Sequence, residues 1–492
     1  MSEQKSSYRQ IMKATSLFGG VQVFNILMGI IRSKFIAVLL GPAGMGIAGL
    51  LISTTGLIAS VTNFGLSTSA IKNVAEANGN GNSHRIGLVV SVIRRLVWIT
   101  GLLGTLVTFI LAPLLSKLTF GNPDYTVAFR WISITLLLGQ VASGQMVVIQ
   151  GMRRLQFLAK ANIIGSLLGL LVSLPIYYSL GVKGIVPALL GTSVLSVLLT
   201  YYYNSRIKIE KVKVSVDILK SEGTGMLKMG FLLSMSGMIS LVTGYILSIF
   251  ISRYGGVAEV GLYNAGFAII NTYVGMIFAA MVTDYFPRLS AVASDNKKSA
   301  VLINQQAEIG ILIIAPVLNI FMVFINVVIT LLYSSNFLPI AGMIQFVALG
   351  IFLKTVSWAM GYMMLAKGDS RIFFFSELLA NIYILGINMI CYKLYGLDGL
   401  GISFFVCYVL GIIQGYIILH WKYQFKFNAA FYRIFIIQFL LTLLCFLLVK
   451  CVTGNLRFVL TLPLIVTTTI FSLYEFNKKL DIIEFIRSKY KS

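Results

Sequence analysis

Charge is what this sequence has least of. Only 11% of its 492 residues are Asp, Glu, Lys or Arg, while 58% are apolar; soluble globular domains carry about 25% charged residues. A soluble protein of this size is thereby excluded. Histidine is almost missing: His84 and His420 both sit in or beside polar segments between apolar runs and offer no catalytic pair. The four cysteines (Cys391, Cys407, Cys445, Cys451) lie in or at the ends of apolar runs, with no CxxC pair and no histidine at ligand spacing. No metal or redox centre is expected from them. A GxxxxGK[ST] phosphate loop is absent, which argues against an ATP-driven pump. Large hydrophilic loops are lacking too. The longest polar stretches are Lys72–Arg95 and Arg206–Lys228, too short for a catalytic domain acting on a sugar donor.

What the chain does have is apolar length. At about 20 apolar residues per crossing, 14 crossings absorb nearly the whole apolar supply. A transmembrane β-barrel would show segments of about ten residues with alternating polarity, whereas stretches such as Ile311 to Leu332 run on unbroken. The sequence therefore predicts an all-α polytopic membrane protein of about 14 transmembrane helices. Segment 1–13 is a polar N-terminus, and the first apolar run is too long for a cleaved signal. Six helices follow in an N-lobe over 14–204, then a basic connector over 205–228. Six more form a C-lobe over 229–421, with a helix pair over 430–475 and a basic tail over 476–492.

The net charge of +23 is scattered between apolar runs and forms no continuous stripe, so nucleic acid is not an expected partner. Lys and Arg assigned to alternate loops and their flanks divide 29 to 6, with 4 inside the segments. Under the positive-inside rule both termini are expected in the cytoplasm.

An internal repeat is visible. Gly41 and Gly46 map onto Gly256 and Gly261 with an offset of 215, and the same offset carries Gly181 and Gly184 onto Gly396 and Gly399. Six segments separate the paired turns. Two parallel six-helix lobes around a central cavity are the expected product.

These turns also carry a resemblance. Arg32-Ser-Lys34-x-x-Ala37-x-x-Leu40-Gly41-Pro42-x-Gly44-x-Gly46, Asn63-Phe64-Gly65-Leu66, Gln150-Gly151, Val260-Gly261-Leu262-Tyr263-Asn264-Ala265, Phe286-Pro287-Arg288-Leu289-Ser290 and Leu365-Ala366-Lys367-Gly368 occur in that order. The chain resembles bacterial O-antigen and polysaccharide flippases of the multidrug/oligosaccharidyl-lipid/polysaccharide exporter superfamily over about Thr15 to Trp421. The resemblance implies a multi-pass protein of the bacterial inner membrane that moves an undecaprenyl-diphosphate-linked oligosaccharide by alternating access, without covalent chemistry. Polysaccharide polymerase machinery is the implied protein partner. Many relatives carry Asp followed by a basic or polar residue in the seventh segment; this chain reads Gly244-Tyr245 there.

Ionisable groups inside a bilayer are costly and need a reason. Arg32 lies eight residues before Leu40, about 12 Å below the end of its helix at about 1.5 Å per residue. Gln22, Asn25, Gly29 and Arg32 fall in a sector of about 100° on that helix, one polar stripe. Lys354 lies deep in the tenth segment with Ser357, Trp358 and Gly361 on its face. Arg32, Lys354, Gln22, Asn25 and Asn63 are the expected cavity contacts for an anionic diphosphate and its glycan, because guanidinium grips phosphate oxygens bidentately and ammonium adds a point charge. Three acids, Asp284, Glu308 and Glu377, are candidates for coupling to H+ or Na+; no other cofactor is expected. Asn304, Glu308, Asn319 and Asn326 share one narrow line on the ninth helix, and Glu377, Asn381 and Asn388 share another on the eleventh. Helix-to-helix hydrogen bonding explains such lines equally well. A cation-coupled multidrug exporter is the alternative function, set back by the absence of acids in N-lobe segments. A glycan polymerase or ligase is a remote one, for want of a large outer loop.

Overall fold

The structure, a computed structural model, describes residues 2–480, with side chains from Gly20 to Lys479 except that of Tyr273. The side chains of segment 1–13 and the end of the 476–492 tail lie outside the described residues. Among the described residues all regular structure is helical, as a bilayer requires of a chain whose backbone must satisfy its own hydrogen bonds. Eleven helical stretches among the described residues are long and apolar enough to cross a membrane. Three of them, Gly20–Thr62, Leu155–Ser205 and Ser370–Tyr423, run to 43, 51 and 54 residues, about twice what one crossing needs. Each breaks at a glycine: Gly41 (φ 64°), Gly181 (φ 55°) and Gly396 (φ 58°). Divided there, the stretches make fourteen crossings.

In chain order the helices are α1 (2–40), α2 (42–62), α3 (Leu66–Gly79), α4 (Ser83–Ile110), α5 (Ala112–Phe120), α6 (Thr126–Gly151), α7 (Leu155–Leu180), α8 (Ile185–Ser205), α9 (Val216–Tyr254), α10 (Val257–Ala291), α11 (Asn296–Val323), α12 (Ile325–Leu332), α13 (Ala341–Ala366), α14 (370–395), α15 (397–423), α16 (Ala429–Cys451) and α17 (Asn455–Leu480). Polar caps start them at the ends of the apolar runs. Asn82 accepts from the Arg85 amide at 2.9 Å and Asn428 from the Phe431 amide at 2.6 Å, each satisfying one orphan N–H of a first turn.

The chain divides into two compact units, the first reaching to Gly261 with Leu332–Ser334 added and the second holding the rest. In the first unit α9 packs on the α1–α2 stretch, α3, α4 and α5. Leu66, Val74, Val89, Ile93, Val148 and Met226 join α3, α4, α6 and α9 in one apolar cluster. The 205–228 connector is irregular only as far as Ser215, whose hydroxyl accepts from the Ile218 amide at 3.3 Å. From Val216 it is already α9, fastened by a bidentate Arg85–Glu222 pair at 2.6 and 2.9 Å. In the second unit α13 is central: Ile344, Val347, Ile351 and Phe352 are fully buried, and α11, α14–α15 and α16 pack around it.

The glycine pairs separated by 215 share backbone geometry. Gly181 and Gly396 turn at φ 55°, ψ −133° and φ 58°, ψ −138°, angles at which a Cβ is strained. Three residues on, a Cβ at Gly184 would stand 2.7 Å from the Ile176 carbonyl oxygen, and one at Gly399 2.0 Å from that of Cys391. Ile176 and Cys391 are themselves 215 apart. A Cβ at Gly46 would meet the Val257 oxygen at 1.9 Å and one at Gly261 the Pro42 oxygen at 1.9 Å, so the two helix starts cross reciprocally inside the first unit. Gly399→Ala is therefore expected to lower the yield of monodisperse protein and its thermal midpoint. Gly386→Ala, where nothing lies within 4 Å, should hold or gain up to about 1 kcal/mol. Detergent-solubilised protein heated and passed over a sizing column reads both.

Candidate functional site

The N-terminal part of the site is a face of α1. Between Gly20 and Leu40 that helix is mostly apolar, and Gln22, Asn25, Gly29 and Arg32 fall on one side of it. Gln22 is exposed, and Asn25 and Arg32 are partly buried. Asn25 is fixed across to α7, its Oδ1 accepting from the Ser166 hydroxyl at 2.8 Å. Arg32 has no ion pair, hydrogen bond or ring contact among the described residues. Its five guanidinium donors are thus unused by the described residues. Asn63 is engaged differently. Its Oδ1 accepts from the Gly65 amide at 2.7 Å, where Phe64 (φ 48°) and Gly65 (φ 62°) break α2 from α3. The side chain builds the break, which its sequence neighbours alone did not reveal.

The second part lies in the other unit, on α13. Lys354 sits one turn before Trp358 and lies over two aromatic rings, Phe278 of α10 at 5.5 Å and Tyr408 of α15 at 5.8 Å. No carboxylate pairs with it among the described residues. Trp358 in turn packs against Phe278 at 5.3 Å, Tyr285 at 5.7 Å and Tyr362 at 5.2 Å. The Tyr285 hydroxyl donates to the Ala359 carbonyl at 2.7 Å, which holds this aromatic wall to α13. Each cation–π contact is worth about 0.5–1 kcal/mol, more when desolvated, so the two rings help to hold the Lys354 amine in place. Sequence reading placed Ser357 and Trp358 beside Lys354 but missed Phe278 and Tyr408. With 12% aromatic residues, nothing in the chain singles those two rings out.

The three acids separate. Asp284 is 73% exposed and pairs with Arg288 one turn on at 3.0 Å. Glu308, only 3% exposed, pairs with Lys479 of α17. Glu377 is partly buried near the Tyr383 and Tyr408 hydroxyls and has no cationic partner among the described residues.

The polar line on α11 faces the last helix pair. Asn304 accepts from the Asn428 amide at 2.9 Å and donates to the Lys426 carbonyl at 3.2 Å, and Asn319 donates to Thr468 of α17 at 3.0 Å. With the Glu308–Lys479 pair, this line is the seam that docks α16 and α17. On α14, Asn388 accepts from Ser403 at 2.7 Å, which ties it to α15.

Among the described residues, fourteen apolar helical crossings joined by short segments define a multi-pass membrane protein. The chain belongs to the polysaccharide biosynthesis protein family, whose pattern it matches over residues 35–342. It is 24% identical over 378 residues to the lipid III flippase of Escherichia coli strain K12, covering 75% of this chain and 88% of that protein. Against the putative O-antigen transporter of Shigella flexneri it is 24% identical over 418 residues, covering 83% of this chain and 96% of that one. Its fold is similar to that of the lipid II flippase MurJ in an inward closed conformation, with a TM-score of 0.69, 12% identity, and 95% of this chain and 99% of that chain covered.

Proposed function

We propose that this protein is a flippase carrying an undecaprenyl-diphosphate-linked oligosaccharide, a repeat unit of a surface polysaccharide, across the bacterial inner membrane by alternating access. The observation that carries the reading is the state of the two deep cations: Arg32 has no partner and Lys354 has only aromatic ones among the described residues. A charge kept at depth without a counter-ion is costly, and an anionic substrate supplies the counter-ion in passing. The diphosphate is taken as the group that Arg32 and Lys354 contact, each within its own unit, while Gln22 and Asn25 meet polar parts of the glycan. No bond is made or broken in this process. A relative that bears the name lipid III flippase and another named as an O-antigen transporter support the substrate class.

The reconstituted protein tests this directly. Proteoliposomes should accelerate the transfer of a fluorescent undecaprenyl-diphosphate oligosaccharide between leaflets, and should not extrude cationic dyes. Dye extrusion without lipid transfer would make the protein a drug exporter instead.

Energy coupling is proposed for Glu377, the acid without a cation beside it, and not for Glu308, whose charge is already neutralised by Lys479. In proteoliposomes with an imposed pH gradient, Glu377→Gln is expected to make transport insensitive to the gradient, while Glu308→Gln keeps the wild-type response. A wild-type gradient response from Glu377→Gln would end that assignment.

A further inference from the structure

On the side of the first unit where the connector lies, α4, α6, α8 and residues 207–211 of the connector enclose a cavity of about 1030 Å³. No residue of it takes part in the transport reading. α6 packs on both α4 and α8, so it forms the floor with Val141 and Val148, and the other two helices form the walls with Val97 and Val197. The walls are fixed to the floor. A Cβ at Gly144 of α6 would stand 2.6 Å from the Val97 side chain, and the Thr200 hydroxyl of α8 donates to Gln145 Oε1 of α6 at 2.5 Å. The apolar run of α4 begins at Leu96 and that of α8 ends near Tyr203, so the cavity straddles the edge of the hydrocarbon layer. Its rim is aromatic and open to the outside, with Trp98 53% and Tyr201 62% exposed, as suits side chains at headgroup level.

Two observations specify an occupant. The first is charge. Arg94, Lys208 and Lys211 border the cavity, and none of them has an ion pair, hydrogen bond or ring contact among the described residues. The carboxylate in the lining, Glu210, faces His84 Nδ1 at 3.4 Å. Three cations against one acid leave the mouth positive. The second observation is Asn204, which lines the same cavity, is 7% exposed and has a buried Oδ1 without a partner. Neither end of its amide is hydrogen-bonded among the described residues, which leaves an acceptor and a pair of donors unused. A phosphodiester only accepts and does not serve Oδ1. An ammonium only donates and is repelled by the three cations, and a quaternary choline does neither. A hydroxyl donates and accepts. The matching occupant therefore combines an anion, a free hydroxyl and hydrocarbon.

We propose that this groove holds one anionic phospholipid of the surrounding membrane, its phosphodiester among Arg94, Lys208 and Lys211. A hydroxyl-bearing head of the phosphatidylglycerol kind meets Asn204, and an acyl chain lies on the valine floor. The attraction requires the cations near the phosphate and not all of them in contact with it. Bound there, the lipid braces the connector against α4 and α8. Six crossings separate the start of α1 from the connector, so both lie on one side of the bilayer, whereas Arg32 lies towards the other end of α1. The lipid site is thus separate from the contacts assigned to the transported diphosphate, and it does not rest on the flippase reading.

The test reads binding and never transport, so the two readings stand or fall separately. Full-length protein in detergent is titrated with phosphatidylglycerol, phosphatidylethanol or phosphatidylcholine of matched acyl chains, and bound lipid is counted by native mass spectrometry. Phosphatidylethanol keeps the diester charge and lacks the head hydroxyls. One phosphatidylglycerol is expected to bind at concentrations where phosphatidylcholine does not, and several-fold more tightly than phosphatidylethanol. Arg94→Gln with Lys208→Gln should weaken both anionic lipids by about 25-fold, at about fivefold per basic residue. Arg95→Gln with Lys220→Gln removes as much charge outside the cavity lining and should leave binding unchanged. Asn204→Leu should erase the preference for phosphatidylglycerol over phosphatidylethanol and keep that over phosphatidylcholine. Arg94 and Lys208 are exposed, so the charge variants carry the test if Asn204→Leu fails to fold. Equal binding of phosphatidylglycerol and phosphatidylcholine, or equal effects of the two charge pairs, would mean that the groove holds only water or loosely bound bilayer lipid and would overturn the proposal. Displacement of phosphatidylglycerol by equimolar undecaprenyl diphosphate would assign the groove to the transported lipid and overturn it too.

Discussion

Arg32→Ala is expected to abolish transport of the lipid-linked oligosaccharide while the protein stays at its normal level in the membrane. Among the described residues nothing leans on the guanidinium, so its removal breaks no internal contact and opens no unpaired charge elsewhere. A structural arginine would behave in the opposite way, with abundance falling first. Arg32→Lys should retain part of the activity, because an ammonium keeps the charge and loses the bidentate fork. Membrane abundance by immunoblot, alongside lipid transfer in proteoliposomes, separates the two cases. Normal abundance with undiminished transfer in Arg32→Ala would remove this residue from the substrate path. Lys354→Ala should lose transport as well, with a modest stability cost from its two ring contacts.

The second large effect is on stability. Lys479→Met leaves the Glu308 carboxylate 3% exposed with no cation beside it, and its Oε1 already lacks a partner. Breaking a buried ion pair from one side costs on the order of 3–5 kcal/mol, while replacing both members with apolar groups of similar size is often neutral. Lys479→Met should therefore lower the thermal midpoint sharply and loosen α17, and Glu308→Leu combined with Lys479→Met should recover most of the loss. A double variant as unstable as the single one would show that the pair is not the seam's main fastening. The neighbouring Arg433–Glu475 pair, at 2.8 and 2.9 Å, should follow the same pattern more weakly, because Arg433 is half exposed.

Much of the architecture is legible in the sequence because membrane helices obey one dominant constraint: about 20 apolar residues per crossing, with the backbone satisfied internally. The breaks at Gly41, Gly181 and Gly396 are legible for a related reason, since a positive φ inside an apolar run is open to little but glycine. The sites are harder. Angular arithmetic on α11 finds the line of Asn304, Glu308 and Asn319 but cannot say what it faces, because the partners Asn428, Lys479 and Thr468 lie 124, 171 and 149 residues further on. Likewise, Asn63 is expected among the cavity contacts, and sequence alone does not show that its Oδ1 also accepts from the Gly65 amide in a local turn. The Gly244-Tyr245 departure from many relatives also gains a meaning: the Tyr245 hydroxyl is buried against Thr119 Oγ1 at 2.8 Å, an uncharged tie between α9 and α5.

The reciprocal crossing of residues 42–46 with 257–261 is self-complementary. Each strand of the contact offers the other the same two elements, a carbonyl from the first residue and a bare glycine four residues on. A patch that is its own complement is what two identical chains share across a two-fold axis. The corner also couples the fates of the two glycines: a side chain gained at Gly46 finds no room made by any change at Gly261, because the obstacle in each case is main chain.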